Sequence, residues 1–240
     1  MTAEALPEPP RRGVRKTETR KRRTLNRDAI VEAALAIVDE DGLDGLSMRR
    51  VAERLETGPA SLYTHVANRD ELTELVYDRV LADLEIPELD GRRWEEQFKD
   101  ALRQLYDVLL SHRDIALASM ARIPVGPNML RVSEGMIAIL RAGGVPDRVI
   151  GLAMDYCSLV VNSLAYEQAL YPTDATDEDI ASYYQEIIEY FGSLPADRFP
   201  NLASMVGPMT EPDAEERLQF HFDAIVQGVA ALARAAKRRR

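Results

Sequence analysis

The chain has 240 residues, 46% hydrophobic and 6% aromatic, enough for a core in one large domain or two small ones. Its single cysteine, Cys157, excludes a disulfide framework and suits a reducing cytoplasm, and its three scattered histidines show no metal-ligand spacing. The net charge of −10 argues against nucleic acid until its distribution is read: residues 11–27 hold nine Arg or Lys and one Glu, residues 1–69 sum to +2, and residues 70–240 sum to −12.

Residues 1–23 combine Pro7, Pro9, Pro10 and Gly13 with dense charge, and read as a disordered basic arm rather than a secretory signal. Apolar spacing then predicts helices at about 27–41, 47–55, 59–66, 69–85, 92–111, 114–121, 127–143, 146–170, 177–192 and 211–236. Gly42, Gly58, Pro87, Gly91, Pro124, Gly126, Gly143, Gly144 and Pro172 punctuate them. Strand-type alternation is scarce, so the fold class is all-α. The segment Leu194 to Pro212 has four prolines and reads as an extended loop. The longest uncharged run of the second half, Tyr156 to Tyr166, falls short of the roughly 18 apolar residues that span a membrane.

The stretch LSMRRVAERLETGPASLYTHVANRDE, Leu46 to Glu71, is the most informative. Ser47 can cap a helix with Val51, Ala52 and Leu55 on its apolar side, Gly58 supplies the turn, and Pro59 opens a second helix at the position where its missing N–H is no loss. Leu62 and Val66 face inward. Pro59, Ala60, Ser61, Thr64 and His65 are left outside, small and polar enough to enter a major groove. Arg49 and Arg50 open the first of these two helices; Arg is the commonest reader of guanine O6 and N7. Tyr63, His65 and Arg69 have the groups that bind backbone phosphate. Ser61 and His65 stand four apart, but no acid orients the imidazole, so no catalytic residue is assigned and the chain is not read as an enzyme.

The run Leu62-Tyr63-x-His65-Val66-x-Asn68-Arg69, with the helix Arg27 to Asp41 before it, resembles the DNA-binding domain of the tetracycline-repressor family. A weaker likeness continues through Leu109-Leu110-Ser111-His112-Arg113-Asp114. The resemblance implies an arm over residues 1–23, a helix-turn-helix domain over 24–70, and a helical effector-binding and dimerisation domain over 71–240. It implies a homodimer on palindromic double-stranded DNA, with Arg49 rather than Arg50 at a base edge and His65 on phosphate. Where tetracycline repressors carry a glutamine-proline pair this chain has Pro59-Ala60, so its operator should differ. Arg20, Arg22 and Arg23 directly precede the domain and suit minor-groove contact.

The helix near 146–170 is apolar nearly all round, and the last helix carries Leu218, Phe222, Ile225, Val226, Val229 and Leu232 on one stripe; the corresponding family helices form a four-helix bundle between protomers. Phe98, Leu102, Leu105, Met120, Met129, Met136, Tyr156, Asn162 and Tyr166 are candidate lining residues of an apolar cavity, or simply core. At the positions aligned with the family's drug and magnesium ligands stand Ala82, Ala101, Ser119 and Gly135, so neither a metal nor another cofactor is expected, and the effector is a small, largely apolar molecule. The expected function is thus a ligand-released repressor, with an exporter or resistance gene as target by family analogy. From the residues themselves a constitutive regulator without an effector, and a helical enzyme or ligand carrier, remain open, as does redox sensing through Cys157.

Overall fold

The computed structural model describes residues 25–112, 114–120, 125–169 and 177–238. Among the described residues there is no strand. The helices are α1 (Arg27–Gly45), α2 (Met48–Arg54), α3 (Pro59–Leu62), α4 (Arg69–Val80), α5 (Trp94–Leu110), α6 (Ala116–Met120), α7 (Pro127–Ala142), α8 (Asp147–Ala169), α9 (Asp177–Gly192), α10 (Pro200–Thr210) and α11 (Ala214–Arg238), with a 3-10 turn at Leu81–Asp83 after α4. The basic arm, with Arg20, Arg22 and Arg23, lies outside the described residues.

Local chemistry sets the boundaries of the first four helices. Asn26 caps α1 by accepting from Ala29 N at 2.8 Å, Ser47 caps α2 by accepting from Arg50 N at 3.3 Å, and Asn68 caps α4 by accepting from Glu71 N at 2.8 Å. Glu71 reaches back to accept from Ala67 N at 2.6 Å, so the α4 entry is satisfied from both sides. Regular helix in α1 breaks where expected, at Gly42 (φ 73°), and one further turn carries it to Gly45.

Three expectations need correction. The turn between α2 and α3, expected at Gly58, is made at Glu56 (φ 53°), and Gly58, with φ −86°, is the residue that precedes α3. Thr57 N donates to Ala52 O at 2.9 Å and Glu56 N to Glu53 O at 3.1 Å, the paired bonds of a Schellman cap. The reading helix α3 ends at Leu62, and hydrogen-bonded turns continue it to Val66. The segment expected as an extended loop contains α10. Pro200 sits at its first turn, where proline is tolerated, and Pro208 falls near its end.

The body is built on α5, which packs against α8, α11 and α7, while α8 also packs against α6, α7 and α11. The inner side of α8 is Ile150, Ala153, Cys157, Val161 and Ala165, all buried. Its outer side is apolar as well: Leu152 is 66% exposed, Tyr156 54% and Leu159 64%. By length and composition the Asp147–Glu167 window of α8 could cross a membrane, which the length of the uncharged run does not register; in this fold one side of it packs against α5, α6, α7 and α11. The stripe on α11 turns inward. Phe222 is fully buried and meets Tyr106 edge-on at 6.3 Å, and Val226 is buried beside it, while Leu232 stands 61% exposed at the edge of the stripe, over the groove shared with α8.

Candidate nucleic-acid interface and the body behind it

The head closes on itself. Ile30, Ala34, Ile37 and Val38 of α1 meet Val51, Ala52, Leu62, Val66 and Leu72 in a core from which water is excluded. Burying Leu62 and Val66 fixes which residues of the reading segment face out. Pro59, Ala60, Tyr63 and Thr64 are exposed, and Ser61 and His65 are half-buried. The Thr64 hydroxyl donates to Ser61 O at 2.7 Å, which leaves its oxygen as an acceptor at the surface.

The head's arginines divide into braces and one projecting side chain. Arg50 pairs with Asp41 and donates to Gly45 O at 3.0 Å, tying α2 to the end of α1. Arg54 makes two 2.7 Å bonds to Glu40. Arg69, expected on phosphate, is a brace in this structure: its guanidinium donates to Leu46 O at 2.9 Å, just before α2, and to Leu43 O at 2.6 Å, in the last turn of α1. Arg49 differs. Its side chain is 82% exposed and meets only the neighbouring turn, at Glu53 (2.8 Å), whose hydrogen bond holds the guanidinium pKa above its ordinary value. A surface pair of this kind is worth little and yields readily to a better acceptor.

Helix α4 joins head to body. Its first turn holds the loop before α2 through Arg69, and its length packs against α1. At its far end Asp78, 6% exposed, accepts from Met129 N at 2.9 Å and from the Asn128 side chain at 3.1 Å, capping the first turn of α7. In return Arg131 of α7 donates to Leu84 O at 2.8 Å and Leu81 O at 2.9 Å, closing the end of α4 and its 3-10 turn. A methyl group at Gly126 would strike the Asp78 carboxylate, so the close approach needs that glycine. A second link crosses from the turn after α5 to α1, where His112 Nδ1 and Asp39 Oδ1 lie 2.9 Å apart.

The side chains expected to line a cavity mostly fill the core instead. Phe98, Leu102, Leu105 and Met136 are buried, and Met129 and Tyr166 pack against that core. Asn162 is buried and donates to Ser158 O of its own helix at 2.7 Å. Tyr156 stands on the outer side of α8, over a groove shared with α11, and the Met120 side chain lies outside the described residues. Apolar type at helical spacing does not distinguish a packed side chain from a lining one. A cavity of about 560 Å3 lies instead among α8, α9, α10 and α11. Cys157 is buried, and burial pushes its thiol up to about 12, the state of a packed and unreactive cysteine. Among the described residues no three His, Cys, Asp or Glu side chains gather as a metal site.

A head of this kind has known counterparts. Residues 30–76 match the family described as bacterial regulatory proteins, tetR family, and residues 86–233 match the tetracyclin repressor-like C-terminal domain. The chain belongs to the tetracycline-repressor family. Members of this family are DNA-binding transcriptional regulators. The chain is 31% identical to an HTH-type transcriptional regulator of Saccharopolyspora erythraea, over 90% of this chain and 89% of that one. It is likewise 31% identical to the HTH-type transcriptional repressor DrrR1 of Streptomyces coeruleorubidus, over 87% and 78%. Among solved structures it is similar to apo ActR of Streptomyces coelicolor, with 41% identity, a TM-score of 0.81, and coverage of 88% of this chain and 98% of that one. ActR in complex with actinorhodin matches equally well, with 41% identity, a TM-score of 0.81, and coverage of 87% and 97%.

Proposed function

We propose that this tetracycline-repressor-family protein is a cytoplasmic homodimeric repressor that binds a palindromic operator and leaves it when a small, largely apolar molecule enters the body. The observation that carries the DNA half of this reading is the division of labour among the arginines. Arg50, Arg54 and Arg69 brace the head, and Arg49 projects beside an exposed Pro59-Ala60-x-x-Tyr63-Thr64 surface. In this reading Arg49 meets a base edge, Pro59, Ala60 and Ser61 meet the groove floor, and Tyr63, Thr64 and His65 meet phosphate. The arm, with Arg20, Arg22 and Arg23, follows the backbone or minor groove beside each half-site. Deleting residues 1–23 then lowers the steepness of log affinity against log salt by about 0.9 for each phosphate that the arm neutralises.

The dimer follows from the outer surface of α8 and α11. Leu152, Tyr156, Leu159 and Leu232 form an apolar face on a body that is otherwise acidic, residues 70–240 summing to −12. A second copy covers that face and sets two reading heads side by side. Release works through α4. A change in α7 reaches it through Asp78 and Arg131, and a change in α8 reaches it through α6, which packs against both. An effector that binds better when α4 is tilted thereby favours heads that no longer match successive major grooves, about 34–36 Å apart. ActR, with 41% identity, has been seen with actinorhodin, which supports a small-molecule effector here. By the same analogy the target is an exporter or resistance gene.

The test is operator selection from a random DNA pool with the full chain, followed by titration of Arg49→Ala on the selected duplex. Specific affinity should fall by about 1–3 kcal/mol and base preference should relax at one symmetric pair of positions. Unchanged affinity and preference would remove Arg49 from the interface.

A further inference from the structure

The acidic body turns basic at one end. From Ala224 onward the chain carries five basic residues, Arg234, Lys237, Arg238, Arg239 and Arg240, and no acidic one. Side-chain pairs fix where this run begins. Arg103 with Glu215, Lys99 with Asp223 and Gln227 with Glu95 set α11 antiparallel to α5, and His112, just past the other end of α5, meets the head at Asp39. The last turns of α11 are therefore at the end of the body remote from the head. There they adjoin the turn between α7 and α8: a methyl group at Gly144 would lie 3.1 Å from Lys237 Nζ, and Arg148 and Ala235 line the same groove.

Arg148, Arg234, Lys237 and Arg238 are exposed, and among the described residues none of the four forms an ion pair. The carboxylates of this end are engaged with other groups. Asp147 pairs with Arg141 at 3.1 Å, Glu96 pairs with Arg93 at 2.6 Å, and Asp90 accepts from Arg92 N at 2.9 Å. The macrodipole of α11 favours cations in its last turn, but it does not call for Arg148 on α8 or for Arg234 a turn earlier. Two heads meet one duplex only if the two-fold axis of the dimer runs from the heads to this far end. The groove that the second copy covers reaches Arg148, so the two clusters then stand side by side, like charge against like. A surface of this kind attracts a polyanion.

Side-chain type selects the polyanion. Of Arg148, Arg234, Lys237, Arg238, Arg239 and Arg240 all but one are Arg, whose planar fork binds phosphate oxygens bidentately. Trp94, the ring at this end, is half-buried against Gly143, so no stacking platform for unpaired bases stands there among the described residues. The apolar residues within 234–240 are Ala235 and Ala236, too small to anchor the run in a bilayer. We propose that the far end of the dimer is a second, sequence-independent site for the phosphate backbone of duplex DNA, so that one dimer holds an operator at its heads and a separate duplex at its far end. The pairing of the two clusters rests on the homodimer reading above; the cluster of each chain does not.

For the test, the operator selected from random DNA is immobilised and saturated with the full chain, unbound protein is washed away, and a fluorescent duplex of scrambled sequence is added at about 50 mM salt. The second duplex should be captured, and capture should weaken at least tenfold by about 200 mM salt. With Arg234, Lys237, Arg238, Arg239 and Arg240 all changed to Gln, capture should weaken at least tenfold while operator affinity, circular dichroism and sedimentation mass stay unchanged. Arg148→Gln with Arg234→Gln is a second variant, expected to weaken capture at least threefold, if the first alters the fold. No capture by the parent, or equal capture by parent and variants, overturns the proposal. A variant that keeps its fold and mass but loses operator affinity overturns it too, because the run would then serve the heads. Vesicles of phosphatidylserine and phosphatidylcholine are the competing surface: a parent that prefers them to the duplex, and a variant that does not bind them, overturns the duplex assignment in favour of a lipid surface. A parent that sediments as a monomer or selects no operator overturns the homodimer reading instead. The cluster is then tested by the affinity of the free chain for the scrambled duplex, which the five-residue variant should lower at least tenfold; equal affinities overturn it.

Discussion

The head and the body solve the same packing problem to different degrees. In the head, four helices bury one continuous core and its braces close the seams. Arg50 lies on Asp41, Arg54 on Glu40, and Arg69 on the carbonyls before α2. Its outward surface is small and polar. The body has an equally dry centre around Phe98, Leu102 and Phe222, yet leaves two apolar surfaces uncovered, the α8–α11 face and the α9–α10 pair. Apolar area left in water forgoes about 25 cal/mol per Å2, so such surfaces persist where something else is to cover them. In the function proposed here the head is finished before it meets DNA, and the body is completed by a second copy and by a ligand.

That contrast can be broken by substitution. The largest effect belongs to the α8–α11 face. Leu152→Asp with Leu232→Asp should leave a folded monomer by analytical ultracentrifugation and abolish specific operator binding, because two charges per chain would be buried in the dimer. Phe222→Asp, by contrast, should unfold the chain, since that ring belongs to its own core. Next come matched truncations in the two regions. Leu62→Ala should cost about 2–5 kcal/mol of unfolding free energy in denaturant, while Leu202→Ala on α10 should stay within about 0.5 kcal/mol. Equal costs would mean that α10 is as well packed as the head.

Asp78→Ala should cost about 1–3 kcal/mol by leaving the α7 N-terminus and Asn128 without their buried acceptor. It should also reduce the coupling between effector and operator more than the stability loss explains, read as the ratio of operator affinities with and without effector. The smallest effect is a gain. Glu56→Gly relieves a left-handed non-glycine residue and should raise the midpoint of thermal unfolding, for about 1 kcal/mol of stability.

The head is legible in the sequence because its determinants are local. Ser47, Asn68 and Pro59 mark helix starts by their own chemistry, and Leu62 and Val66 choose the buried side. What the sequence does not show is which partner a side chain finds across the chain. Nothing in the spacing separates Arg49, left projecting, from Arg69, which turns back to Leu43 and Leu46. Nor does the stripe on α11 say that Phe222 faces α5 while Leu232 faces out. Helix α10 escapes the pattern because its prolines read as breakers, although Pro200 stands at the one position where proline starts a helix. The Asp78 clamp pairs residues about fifty positions apart, and no local pattern announces it. The candidate pocket residues mislead for a similar reason: Phe98 and Leu102 are apolar whether they line a space or fill it.

The claim most open to direct test is that two heads read one symmetric site. Footprinting of the full chain on the duplex selected from random DNA should show two equal protected half-sites related by a two-fold axis, their centres about 34–36 Å or a multiple apart, and both should vanish together in the Leu152→Asp, Leu232→Asp variant. A single unsymmetric footprint, or no sequence preference at near-physiological salt, would contradict the account.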